Sequence, residues 1–161
     1  MVEEAQKYIL LNDRVGEKTE QSILGMTKTL KPTKVLKGEI LIALPEEKQP
    51  KDYRQVLLVG VESKTLTIEC ATTDLARVSH EEADLLLGIS SALERYNIFH
   101  ERNTLEAGKK IRESTKVFVK VKALPKPAPG VVWYKGPLPT ACGTMFGVEL
   151  TVRNGKNDYQ N

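Results

Sequence analysis

Apolar and polar positions divide this chain into a β-rich part, a helical stretch and a second β-rich part. In the first part, residues 55–61 and 65–70 are two apolar runs joined by the short polar loop Glu-Ser-Lys. This pattern predicts a β-hairpin. Because successive side chains of a strand point to opposite faces, we expect Leu66 and Ile68 to face inward together.

A helical pattern follows over residues 79–102. Ser79 and Glu82 have the spacing of a capping box, and Leu86 begins an apolar stripe that repeats every three or four residues. Gly88 lies within the stripe and costs about 1 kcal/mol relative to alanine, which does not remove the periodicity. We therefore predict one long helix, over about residues 79–102, whose apolar stripe packs on the core.

A period of two begins at residue 117, where valines alternate with Phe118, Lys120 and Lys122. This alternation predicts a strand with one buried face and one basic face. The fold class that these elements predict is α+β, mainly β. A helix-braced, β-rich N-terminal unit would occupy residues 1–108, and a small all-β unit residues 109–161.

Composition and charge narrow the classes of partner. The chain has 161 residues, of which 40% are hydrophobic, and a net charge of +3. Positive charge is concentrated after residue 108, at Lys109, Lys110, Arg112, Lys116, Lys120, Lys122 and Lys126. A local basic field favours an anionic partner, and a solvated strand face is an equally good interpretation.

Residues that could carry catalysis are few. The chain has two cysteines, Cys70 and Cys142, and two histidines, His80 and His100. The spacing of these residues does not match a metal site, a disulfide framework or a cysteine-protease signature. We therefore expect no catalytic residue, metal or cofactor. The start of the chain lacks a secretory pattern and no apolar run approaches bilayer length, which predicts a cytoplasmic protein without membrane association.

Three motifs near the end of the chain carry a resemblance to a known family. They are PGVVWYKGPL from residue 129, FGVEL from residue 146 and GKND from residue 155. In this order they resemble the CAP-Gly domain, a small SH3-like β-barrel that binds acidic protein tails. Residues 78–111 also resemble the region before the first such domain in the cylindromatosis deubiquitinase (CYLD) family. Residues 109–161 are therefore interpreted as a truncated, SH3-like CAP-Gly barrel.

The resemblance implies a binding site for acidic C-terminal tails. Carried over by position, the candidate ligand-binding residues are Gly155, Lys156, Asn157, Asp158, Phe146, Trp133 and Lys135. In the family, lysine and asparagine of GKND make the polar contacts and aromatic residues line an apolar slot. Two alternatives stay open, in which Asn154-Gly155 is an ordinary hairpin turn and the two aromatic residues belong to the core.

The chain departs from the family pattern at several points. Met145 and Tyr159 stand where the family usually has tryptophan and glycine. The final strands of the barrel are missing from these residues, so we expect either a fragment or a naturally shortened protein. An incomplete groove would bind acidic tails weakly or not at all.

The resemblance implies a non-catalytic binding and scaffold region, cytoplasmic and associated with the cytoskeleton. Its partners would be acidic protein tails, tubulin or microtubules, and proteins of ubiquitin-pathway signalling. It would be linked to ubiquitin deconjugation and negative regulation of NF-κB signalling. One alternative is an N-terminal fragment of an active ubiquitin-specific cysteine protease whose catalytic domain lies beyond this chain. Nucleic-acid binding is a weaker alternative, because Phe118 is the one aromatic residue within the basic stretch.

Overall fold

The structure is a computed structural model that describes residues 4–22, 24–25 and 27–151, which form two β-sheets and three α-helices. The first sheet contains β1 (Lys7–Leu10), β2 (Arg14–Gln21), β3 (Lys28–Val35), β4 (Ile40–Ala43), β5 (Gln55–Gly60), β6 (Leu66–Ala71) and β7 (Leu75–Val78). The helices are α1 (His80–Leu87), α2 (Ala92–His100) and α3 (Arg102–Lys110). The second sheet contains β8 (Lys116–Val119), β9 (Ala128–Leu138) and β10 (Ala141–Leu150). The predicted α+β, mainly β class is confirmed.

All neighbouring strands of the first sheet are antiparallel, in the order β3-β2-β6-β5-β4-β1-β7. The predicted hairpin is β5–β6, in which Leu58 lies opposite Ile68. Leu66 and Ile68 are 7% and 1% exposed, so the inward pair is confirmed. The alternation of the two strands was sufficient to predict this pairing because each carries one apolar face.

The two faces of this sheet supply two separate cores. On β1, Ile9 packs on the helices while its neighbour Leu10 faces the opposite side. The helix-facing core contains Ile9, Ile40, Val78, Ala83, Leu86, Leu87 and Leu105. The opposite core contains Leu10, Val35, Leu41, Leu58, Leu66, Ile68 and Cys70. The helices therefore brace one face of the sheet, and the sheet itself encloses the other core.

The prediction of one long helix over residues 79–102 is wrong, because the helix is interrupted between Leu87 and Ala92. The Arg95 side chain, 2% exposed, donates to the carbonyl oxygens of Ile89 and Ser90 and replaces helical bonds there. The Ser91 hydroxyl then accepts the amide of Glu94 and begins α2. Restarting the helix rotates the apolar stripe, which leaves Leu93 53% exposed.

The predicted N-terminus of the helical stretch is correct. Ser79 Oγ accepts the backbone N–H of Glu82 at 3.1 Å. The Glu82 carboxylate does not bond back to the Ser79 amide as in a complete capping box. It accepts hydrogen bonds instead from the side chains of Arg102 at 2.7 Å and Lys109 at 2.8 Å. This cluster ties α1 to α3, which is why the helices form one layer.

The second sheet, in the order β10-β9-β8, rests on α1 through close backbone contacts. A Cβ built on Gly88 would lie 2.4 Å from the carbonyl oxygen of Thr144 in β10. A Cβ on Gly143, whose φ is +76°, would lie 2.4 Å from the carbonyl oxygen of Asp84 in α1. Two glycines thus let β10 and the helix approach more closely than any other residues could. The proposed division at residues 108 and 109 stays a prediction, and α3 continues two residues past it.

Candidate peptide-binding site

The structure describes three of the seven candidate residues carried over from the CAP-Gly resemblance: Trp133, Lys135 and Phe146. The other four, Gly155, Lys156, Asn157 and Asp158, lie outside the described residues, as does the Asn154-Gly155 turn. The ligand loop formed by those four residues therefore stays a prediction, and the ordinary hairpin turn stays its alternative.

Lys135 and Phe146 come together because they are direct cross-strand partners in β9 and β10. The Lys135 ammonium nitrogen lies 5.9 Å from the centre of the Phe146 ring, within the range of a cation–π interaction. It also donates a hydrogen bond of 3.2 Å to the carbonyl oxygen of Lys109, near the end of α3. The carbonyl end of a helix favours a cation, so α3 helps to hold this side chain in place.

Trp133 does not share this position, because it occupies a β-bulge. The register pairs Gly147 with Tyr134 and Val148 with Val132, which leaves Trp133 without a partner on β10. A bulge redirects its side chain, and the indole is 63% exposed. The interpretation of Trp133 as a core residue is therefore wrong, while Phe146 is half-buried.

Phe146 lines an apolar cavity of about 400 Å³ between the helices and β10. The largest apolar side chains around it are Leu85, Leu86, Ile89, Ile98, Leu105, Met145 and Phe146. Each of the three helices contributes to this wall, and the close approach of β10 to α1 closes one side. Its volume lies toward the lower end of the range of ligand pockets and is sufficient for one apolar side chain of a peptide.

The charges beside this cavity differ in their partners. The Lys109 ammonium donates hydrogen bonds to the carboxylates of Glu106 at 2.7 Å and Glu82 at 2.8 Å, and these bonds raise the pKa of Lys109. The same hydrogen bond with Lys109 lowers the pKa of Glu106. Lys135 differs, because no carboxylate among the described residues lies within ion-pair distance of it. It is thus the cation best placed to receive a carboxylate from outside.

The helical part of this site could not be identified from the sequence alone. The predicted apolar stripe began at Leu86 and included neither Leu85 nor Leu105, which is 3% exposed. Their contribution to a cavity depends on how far β10 stands from the helices, which periodicity does not encode. The one sequence signal was Gly88, since an unexplained glycine within a helical pattern often marks a close backbone approach.

The structure also describes the buried thiol, the possible metal ligands and the helices of the chain. Cys70 is buried, and burial raises the pKa of its thiol to about 11, so it is protonated at neutral pH. Across residues 4–22, 24–25 and 27–151, no cluster of three His, Cys, Asp or Glu side chains could hold a metal ion. No helix in the described part of the chain is long and apolar enough to cross a membrane.

Comparison with known proteins identifies a protein family whose model matches part of this chain. The family model described as the CYLD SH3 domain matches residues 23–109. That range contains α1, α2, all but the last residue of α3 and five of the seven strands of the first sheet. It ends at residue 109, where the predicted SH3-like CAP-Gly segment begins. The CAP-Gly interpretation of residues 109–161 therefore stays a prediction.

Curated relatives match beyond that range. Ubiquitin carboxyl-terminal hydrolase CYLD of Bos taurus is 30% identical over 153 residues, which cover 92% of this chain and 16% of the relative. The proteins of the same name from Homo sapiens and Mus musculus are 36% and 34% identical over 80 residues, 48% of this chain and 8% of each relative. The chain thus spans about a sixth of the length of the bovine protein. No solved structure matches the chain.

Proposed function

The chain belongs to the CYLD SH3 domain family and is a CYLD-like N-terminal region, and from this premise we propose that it is a non-catalytic module that binds acidic protein tails. The observation that carries the proposal is the apolar cavity of about 400 Å³ with Phe146 in its wall and Lys135 at its edge. An anchoring pocket beside an unpaired cation is the minimum that recognition of an acidic, aromatic-ended peptide requires.

In this proposal, the terminal aromatic or aliphatic side chain of the ligand enters the cavity and contacts Phe146 and Met145. A carboxylate of the ligand then pairs with the Lys135 ammonium, which the carbonyl oxygen of Lys109 already orients. Burying one such side chain contributes about 1.5–3 kcal/mol, and a half-exposed ion pair adds about 0.5 kcal/mol. Binding by this site alone is therefore weak, which agrees with the expectation for an incomplete groove.

The biological setting of this proposal follows the relatives. The bovine, human and mouse proteins are named ubiquitin carboxyl-terminal hydrolases. We propose that hydrolysis belongs to parts of such a protein beyond this chain, and that this region supplies binding to tubulin, microtubules or partners in ubiquitin-pathway signalling. We further propose that it acts in the cytoplasm, in association with the cytoskeleton, and contributes to negative regulation of NF-κB signalling. The protease-fragment alternative from the sequence is compatible with this division of roles.

Titration of the chain with a peptide ending in Glu-Glu-Tyr, followed by heteronuclear NMR, tests the proposal. We expect saturable shifts at Phe146, Met145 and Leu105. A peptide ending in Glu-Glu-Ala should bind about tenfold more weakly, because it lacks the apolar anchor. Equal affinity for the two peptides would exclude the cavity as the anchoring site.

Charge is tested separately with Lys135→Gln and a matched control, Lys122→Gln. Both lysines lie in the basic part of the chain, but of the two Lys135 is the one placed over the ring of Phe146, a residue of the cavity wall. The first variant should weaken binding of the Glu-Glu-Tyr peptide about threefold, and the second should change it less than the error of the titration. Equal losses in the two variants would show that attraction is diffuse and that Lys135 has no specific role.

A further inference from the structure

One glycine of α3 is not required by the backbone. Gly108 lies in the last turn of this helix and lines the apolar cavity of the candidate peptide-binding site. Every other glycine that the structure describes either has a φ in the left-handed region or would place a Cβ at 3.0 Å or less from another heavy atom. A Cβ built on Gly108 would meet one atom of a neighbouring element within 4 Å, Leu85 Cδ1 at 3.7 Å. This distance is an ordinary van der Waals contact, so alanine would fit at position 108 without strain.

Glycine at this position weakens the helix. Its backbone has more freedom to lose on folding, so glycine destabilises a helix relative to alanine. α3 has nine residues and buries one side chain, that of Leu105, so it has little packing to offset the loss. A residue that weakens a short helix, and that the backbone does not require, indicates that the space it leaves has a role.

The space beside Gly108 belongs to the cavity. Thr104, Leu105 and Gly108 line the cavity from α3 at spacings of three and four residues, so they share one face of the helix. Two of the three carry side chains, and the wall therefore forms a recess at Gly108. A side chain at position 108 would be directed at Leu85, which lines the same cavity from α1.

The recess lies beside the cation of the site. Gly108 is followed by Lys109, whose carbonyl oxygen accepts the hydrogen bond of 3.2 Å from Lys135 Nζ. The same ammonium nitrogen lies 5.9 Å from the centre of the Phe146 ring, which is part of the cavity wall. A ring that enters the recess is therefore close to the cation that would receive a carboxylate of the ligand.

We propose that Gly108 is the specificity-determining residue of this site and that it selects an aromatic side chain at the end of the ligand. An aromatic ring is larger than an aliphatic side chain, and the recess supplies the room that it needs. The inference rests on the proposed function and narrows its ligands from aromatic or aliphatic tails to aromatic ones. Gly108 acts through the space that it leaves.

Gly108→Ala and Gly108→Leu test the assignment in the full chain, with Asn103→Ala as the matched control. Asn103 is an exposed residue of the same helix that does not line the cavity, so its replacement changes helix propensity alone. In thermal unfolding, Gly108→Ala should raise the midpoint by about 1–4 °C, because alanine favours the helix and fits without strain. A fall in the midpoint would show that the fold requires this glycine and would overturn the proposal.

Peptides ending in Glu-Glu-Tyr and Glu-Glu-Leu are then titrated against each protein by NMR. The parent should bind the tyrosine peptide at least about threefold more tightly than the leucine peptide. Gly108→Ala should weaken the tyrosine peptide at least about threefold and change the leucine peptide less than about twofold, whereas Gly108→Leu should weaken the tyrosine peptide at least about tenfold. Asn103→Ala should change neither affinity. Equal weakening of both peptides in Gly108→Ala would overturn the proposal.

Binding of p-cresol, the side chain of tyrosine without its backbone, separates this proposal from the proposed function. It should shift the methyl signals of Leu85 and Leu105 in the parent and in Asn103→Ala, and the shifts should be lost in Gly108→Leu. That result without binding of either acidic peptide would contradict tail recognition and still support an aromatic site at Gly108. Peptide binding that is unchanged in Gly108→Leu would support the proposed function and overturn the role of Gly108, as would the absence of p-cresol shifts in the parent.

Discussion

The seven-stranded sheet and the three-stranded sheet differ in how many apolar side chains they bury. The first sheet and its helices bury two clusters, each of seven side chains. In the second sheet the fully buried apolar residues of the described part are Ala128 and Val132, while Phe118 and Trp133 are 79% and 63% exposed. Exposed apolar side chains occur in the first region too, where Leu24 and Tyr53 are 82% and 87% exposed, so the difference between the regions lies in their buried cores. The comparison therefore places most of the stability in the first region.

The two regions meet at α1, and the contact is selective. Gly88 and Gly143 bring backbone against backbone where β10 crosses the helix. Directly beside this crossing, with Gly88 and Thr144 in its wall, the same two regions leave the apolar cavity at Phe146 open. A tight contact next to an open space is what a rigidly mounted binding pocket requires.

The largest expected effect is the difference between core and surface truncations. Leu86 is fully buried between the helices and the first sheet, so Leu86→Ala should lower the free energy of unfolding by about 3 kcal/mol. Phe118→Ala in the second sheet should change it by less than about 0.5 kcal/mol. Urea denaturation followed by circular dichroism measures both. A large loss in Phe118→Ala would mean that the second sheet carries stability of its own.

The contact between the regions is tested next by Gly143→Ala. Alanine at φ +76° costs about 1 kcal/mol, and its Cβ would clash with the Asp84 carbonyl oxygen, so we expect a total loss of about 2 kcal/mol. Gly25→Ala is the matched control, because its φ is +68° but its Cβ would meet only Gln21 Nε2 at 3.6 Å. The control should lose the conformational part alone, about 1 kcal/mol. Equal losses would show that β10 and α1 separate without cost.

A smaller effect concerns the charge of Asp74 in the first region. Asp74 accepts hydrogen bonds from Arg14 at 2.7 Å and from Asn12 at 2.9 Å, and the bond from Arg14 lowers its pKa. Because the pKa of this carboxyl is lower in the folded state, its ionised form stabilises the fold at pH values above the unfolded pKa of about 4. This stabilisation is lost as the pH falls through the folded pKa. Asp74→Asn should therefore be less stable than the parent at pH 7, and the gap should close between pH 4 and pH 2.

Asp52 provides the control for this pH dependence. Its pKa is also lowered, by its hydrogen bonds with Arg54, but both side chains are exposed. Solvent screens such a pair, so Asp52→Asn should show a much smaller gap at pH 7. Thermal unfolding at a series of pH values measures both variants, and a constant gap for Asp74→Asn at every pH would contradict the assignment.

The final comparison leaves the fold unperturbed and uses one thiol from each region. Cys70 is 4% exposed with its pKa raised to about 11 by burial, whereas Cys142 is exposed at the start of β10. A disulfide reagent at neutral pH should label Cys142 at once and Cys70 only after denaturant is added. In Cys142→Ser the fast phase should disappear. Rapid labelling of both thiols would show that the first sheet opens readily.

Much of the fold followed from local pattern, and the exceptions share one cause. The β5–β6 hairpin was predictable because Leu66 and Ile68 alternate with polar residues. The break between α1 and α2 was not, because Arg95 reaches back to two carbonyl groups and only the folded chain brings them within its range. The exposure of Trp133 was left open for a similar reason, since a bulge depends on the register of β9 against β10.

The sequence alone determined the class of the fold, its strongest hairpin, the start of its helical layer and the concentration of lysines after residue 108. These features depend on neighbours along the chain, where side-chain periodicity and capping act directly. Tertiary structure decided which side chains line the cavity and why Lys135 meets Phe146. These features depend on distances between elements, and those are set by backbone contacts such as that of Gly88 with Thr144.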